Sequence, residues 1–185
     1  MQYRITMLEG FRLTIGLLYS RLHFRHKHDR IMNFTGALTR SRRALVIFPE
    51  SSLDGEAVST FLRYLLRKFS SEIIEVVIRD DQLYSMASAP PLKTLTYSAR
   101  DINKWFVPRH ELLHRMESNN FDVALDLNLN LSLTCAFLCK ASNAPLRISF
   151  LKKNGDQFYN FQVKTKGNTS NKYSYRSMLK CLDMF

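Results

Sequence analysis

Apolar residues at Leu8, Phe11, Ile15, Leu18 and Leu22 recur in alternating steps of three and four, the spacing that lines one side of a helix over residues 7–25. The period changes at Ala44. The apolar run from Ala44 to Phe48 is too short for a helix and reads as a buried strand, which turns through Pro49-Glu50-Ser51-Ser52-Leu53-Asp54-Gly55 into a second helical pattern. There Ala57, Val58, Phe61, Leu62, Leu65, Leu66 and Phe69 pair four apart, Ser52 or Asp54 can cap the N-terminus, and Arg67-Lys68 suit the last turn. The β-branched run Ile73 to Ile78 predicts another strand, and Leu92 to Tyr97 a third after the Pro90-Pro91 break.

A helix opening near Pro108 reaches about Ser118, a fourth strand spans Asp122 to Leu127, and a helix from Leu131 to Ala141 carries Leu131, Cys135, Leu138 and Cys139. Leu146 to Phe150 is a fifth strand, and Tyr175 to Met184 a closing helix. Strands alternating with helices at this spacing predict a parallel sheet with right-handed crossovers. The expected fold is therefore α/β. A single Rossmann-like domain of about five mostly parallel strands, with helices on both faces, occupies residues 44–185, and a basic amphipathic segment occupies residues 1–43. In such sheets ligands gather at the carboxyl ends of the strands, which draws attention to the loop after the first strand.

Composition narrows the class. A chain of 185 residues with 45% apolar residues and only 6 Gly and 5 Pro describes an ordinary globular domain. The net charge of +11 sits at the ends: residues 1–43 hold nine Lys/Arg against two acids, and residues 152–185 seven against two. Basic ends around a neutral middle suit an anionic contact. Arg12, Arg21 and Arg25 lie off the first apolar stripe and, with Lys27 and Arg30, form the set expected to meet an anionic membrane face; the stripe could equally pack on the domain or on a partner helix. The three cysteines, Cys135, Cys139 and Cys181, do not describe a disulfide framework and fit a reducing compartment. The uncharged stretch Leu13 to Ser20 is too short to span a bilayer, so no transmembrane segment is expected.

Several strings, in this order and spacing, resemble the N-terminal half of glycosyltransferase family 9, the heptosyltransferases of lipopolysaccharide core assembly. They are Ala44-Leu45-Val46-Ile47-Phe48 with Ser51-Ser52-Leu53-Asp54-Gly55, Phe121-Asp122-Val123-Ala124-Leu125-Asp126-Leu127, Leu146-Arg147-Ile148-Ser149-Phe150, and Phe158-Tyr159-Asn160. The resemblance covers residues 44–185. It implies a lobe holding the acceptor sugar, with the donor held by a second lobe that would have to come from another chain, so that this lobe alone is not an active transferase. It also implies work at the cytoplasmic face of a bacterial inner membrane, on a phosphorylated sugar or anionic lipid. The family has Gly-Asp after its first strand, with that aspartate proposed as the base; here the order is Asp54-Gly55, which redirects the carboxylate. Asp54 and then Glu56 are the candidate catalytic residues, and Ser51, Ser52 and Gly55 the candidate acceptor or anion contacts through the helix N-terminus. In the competing structural reading Asp54 caps the helix and Glu56 favours its positive end. Pro49 and Glu50 stand where the family tends to be basic.

His110-Glu111-Leu112-Leu113-His114 matches the H-E-x-x-H zinc peptidase pattern, but no third ligand follows at a suitable spacing, and no metal is expected. His23, His26 and His28 lie among bases that oppose a cation, and Cys135 and Cys139 read as buried packing. No Gly-rich phosphate loop is present, so no dinucleotide cofactor is expected. A nucleic-acid module is the alternative, using the basic ends and Phe158, Tyr159, Phe161, Tyr173 and Tyr175 beside Lys164, Lys166, Lys172 and Arg176.

Overall fold

The computed structural model describes residues 7–27, 29, 36–50, 55–68, 74–86, 92–117, 120–165 and 170–184. Its strands are β1 (Ala44–Ile47), β2 (Ile74–Arg79), β3 (Lys93–Tyr97), β4 (Val123–Asp126), β5 (Leu146–Phe150) and β6 (Phe161–Val163). They form one sheet in the order β3-β2-β1-β4-β5-β6, every adjacent pair parallel. The Rossmann-like α/β expectation holds, with a sixth strand added to the expected five. β6 pairs Phe161 with Ile148 and Val163 with Phe150, a three-residue edge strand too short to leave a periodic signature.

Among the described residues six α-helices accompany the sheet: α1 (Met7–His23), α2 (Ala37–Arg40), α3 (Gly55–Lys68), α4 (His110–Glu117), α5 (Leu133–Ala141) and α6 (Asn171–Leu182). α6 starts four residues before the predicted Tyr175 because the Ser170 hydroxyl accepts a bond from the Tyr173 N–H and caps it. Side chains of successive strand residues point to opposite faces, so the sheet feeds two cores. On one face Val46, Val123, Leu125 and Ile148 pack under Phe61 and Leu65 of α3 and Tyr175 and Met178 of α6. On the other, Leu45, Ile47, Val77 and Ala124 pack under Leu112 of α4 and Cys135, Leu138 and Cys139 of α5.

All nine residues of α5 are buried, because the sheet covers one side and α1 covers the other. The face of α1 that packs is not the predicted stripe. It runs through Gly16 and Ser20: a Cβ on Gly16 would stand 2.2 Å from the Trp105 carbonyl oxygen and 2.4 Å from Leu133 Cδ2, an approach only glycine permits. The Ser20 hydroxyl is satisfied within the helix by the Gly16 carbonyl at 2.7 Å. Beyond the helix, Phe24 meets Phe137 of α5 at 4.6 Å between ring centroids. Asp29 then bonds both Lys140, at 2.8 Å, and Arg147. Leu8, Phe11, Leu18 and Leu22 of the predicted stripe face outward.

Candidate functional site

An open cavity of about 720 Å³ lies over the carboxyl ends of β1, β2 and β3 and the N-terminus of α5. This is the crevice beside the point where the strand order reverses between β1 and β4. Its charged lining is mixed: Glu50 follows β1, Arg79 ends β2 with Asp80 and Asp81 just beyond it, α1 contributes Glu9 and Arg12, and Lys104 comes from the segment after β3. Arg79 pairs with Asp81 at 2.7 Å, and this pairing, with Glu50 and Tyr97 nearby, raises the Arg79 pKa although burial opposes it. Ser132 and Thr134 present the first turn of α5, where the Ser132 hydroxyl caps the helix by accepting the Cys135 N–H and the helix dipole favours an anionic group.

The far wall is the turn at residues 99–109. The Asn103 side-chain oxygen accepts N–H bonds from Trp105 at 2.9 Å and Val107 at 3.1 Å, and this folds the backbone so tightly that Phe106 takes φ 60°, a left-handed conformation rare for an aromatic residue. The Phe106 carbonyl accepts the Thr134 hydroxyl at 2.9 Å, and its ring lies 4.6 Å beneath the Arg12 guanidinium. α1, the turn and α5 are thereby pinned to one another around the cavity.

Behind the cavity a polar network crosses the sheet. Tyr97 at the end of β3 donates its hydroxyl to Glu50 Oε1 at 2.9 Å, and Cys135 Sγ lies 3.3 Å from the Tyr97 hydroxyl oxygen. Burial, reinforced by Glu50 and Asp126, pushes the Cys135 thiol well up, so it keeps its proton and donates to Tyr97. Burial, with Cys135 and Glu50, likewise raises Tyr97 and keeps it a donor. The Glu50 N–H donates to Asn128 Oδ1 at 2.9 Å, and Asn128 donates its own N–H and amide to Asp126 Oδ1 at 3.0 and 2.7 Å. Asp126 Oδ2 accepts Lys152 Nζ at 3.0 Å and the Tyr159 hydroxyl. Asp126 is fully buried and all its acceptor positions are filled, so it organises the carboxyl edge and offers no free oxygen to a ligand.

Of the predicted site residues, Ser51, Ser52, Asp54 and Arg30 lie outside the described residues, Gly55 begins α3, and the side chain of Glu56 is not described. Glu50, which lines the cavity, directly precedes that loop. The predicted basic set divides. Arg12 is half-buried and donates to the Lys104 carbonyl, and Lys27, itself exposed, donates to Asn143 Oδ1 at 2.7 Å. Arg21 and Arg25 are exposed.

The alternatives fare differently. His110, Glu111 and His114 are exposed on α4 with the two rings 6.2 Å apart, and no group of three or more His, Cys, Asp or Glu among the described residues is arranged to hold a metal. Phe158, Tyr159 and Tyr175, which the nucleic-acid alternative would stack on bases, are buried in the cores; Tyr173 is exposed. Glu50 was visible only as a loop residue, and Arg79, Asn103 and the Asp126 network escaped the sequence reading because β2, the 99–109 turn and β4 are brought together only by the tertiary fold. An aspartate and a lysine at the ends of apolar strands, Asp126 and Lys152, were the visible signals.

Comparison with protein-family models, curated proteins and solved structures finds no match to this chain. Among the described residues, no helix is long and apolar enough to cross a membrane.

Proposed function

We propose that the chain is an acceptor-side lobe that holds a phosphorylated sugar in the carboxyl-edge cavity and works with a donor-binding lobe in cell-envelope glycan assembly. The observation that carries this reading is the cavity itself, set at the strand-order reversal with carboxylates, a guanidinium and a helix N-terminus around one space. Carboxylates and Asn103 suit hydroxyl groups, while Arg79 and the first turn of α5 suit an anion. The resemblance to glycosyltransferase family 9 supports the same class of ligand. Glu50 stands as the hydroxyl contact, with Asp54 and Glu56 as the carboxylates to test for proton removal.

The test is titration of the labelled protein by NMR with glucose 6-phosphate and with glucose. The expected result is that glucose 6-phosphate shifts the amides of residues 79–81, 99–104 and 131–134. Glu50→Gln weakens both sugars, and Arg79→Met weakens only the phosphorylated one, by roughly tenfold, as loss of a charge-assisted hydrogen bond implies. Absence of shifts at these amides, or equal loss of both sugars in Arg79→Met, would overturn the reading.

A further inference from the structure

We propose that α1 lies in the plane of an anionic bilayer surface and seats the domain there. At 100° per residue, Met7, Leu18, Phe11, Leu22, Leu8 and Tyr19 form an arc of about 120° that no charged residue interrupts. Their exposures are 97%, 57%, 61%, 56%, 66% and 49% respectively. A continuous row of large apolar side chains left to water marks a contact site rather than scattered surface residues. The opposite face of the helix is already committed, through Gly16, Ser20 and the Asp29 tie to Lys140 and Arg147, so the arc cannot turn inward.

Charge selects the occupant. Arg21 borders the arc, Arg25 follows the helix end, and both are exposed, whereas the only acid of α1, Glu9, faces the cavity on the other side. A second copy docking on this face would bring bases to bases with no acid between them. An anionic lipid surface complements both parts, taking the apolar arc into the acyl boundary and the guanidiniums among the headgroups. With 17 residues the helix is about 25 Å long, suited to lying on a bilayer and not to crossing it.

The proposal deepens the cavity reading, because Glu9, Arg12 and Leu13 of α1 line the cavity and would hold it at headgroup level. Its test contains no sugar, so its failure leaves that reading standing. The full chain is floated with phosphatidylcholine vesicles and with vesicles rich in phosphatidylglycerol. Binding to the second and not the first is expected. Leu18→Asp, at an exposed position that leaves the far-UV spectrum unchanged, lowers it by tenfold or more, since burial of a leucine is lost and a like charge gained. Arg21→Glu lowers it several-fold in a salt-sensitive way. Failure of the wild type to float with the anionic vesicles, or equal flotation of Leu18→Asp, would overturn the proposal. So would a concentration-dependent dimer abolished by Leu18→Asp without any flotation, which would make the occupant a second copy.

Discussion

Lys152 and Asp126 form a buried ion pair, their side chains 3% and 0% exposed, and the physics of such pairs makes a sharp prediction. Removing one partner strands a desolvated charge, so Lys152→Met lowers stability by about 3–5 kcal/mol, read from the midpoint of urea unfolding. The double variant Asp126→Asn/Lys152→Met recovers part of that loss, since no unpaired charge is then buried while the amide oxygen still accepts from Asn128. These contacts were opaque in the sequence for a plain reason. Asp126 and Lys152 stand 26 positions apart, and only parallel pairing of β4 with β5 brings them to one edge. Cys135 and Cys139, four apart on a helix, were legible as buried because the α-helical period alone puts them on one side.

At the scale of elements, the alternating periods identified each long strand and helix, and the buried pattern of β1, β2, β4 and β5 matches their unbroken apolar runs. α1 was legible as a helix and not in its orientation. Hydrophobic stripes report where burial would be favourable, whereas the docking of α1 was decided by which face allowed close approach, and Gly16 and Ser20 supply it. The end of this segment is held by charge, giving a prediction in pH. Burial favours the neutral acid of Asp29, but hydrogen bonds and charge from Lys140 and Arg147 outweigh it and hold the carboxyl below its usual range. A folded pKa below the unfolded value of about 3.9 means that this tie stabilises fully at neutral pH and is lost as the pH falls through the unfolded and then the folded value. The melting temperature of Asp29→Asn therefore lies below that of the wild type at neutral pH, and the gap closes in strong acid; a gap independent of pH would refute the role.

At the scale of the molecule, the order of elements made the parallel sheet legible, and the crossover rule led from that order to the sheet's carboxyl edge as the place for ligands. The cavity was not legible, since its walls come from α1, the ends of β1 and β2, the turn at 99–109 and the start of α5, pieces no local pattern connects. The enclosure of α5 has a bearing on how the chain can be divided. A shortened protein beginning at residue 44, the boundary suggested by composition, would leave Phe137 and Leu133 without their cover, and the expected outcome is aggregation on expression, checked by size-exclusion chromatography. What looks like a detachable leader is thus the outer wall over α5, and any inherited or engineered trimming of it would have to replace that wall with another surface.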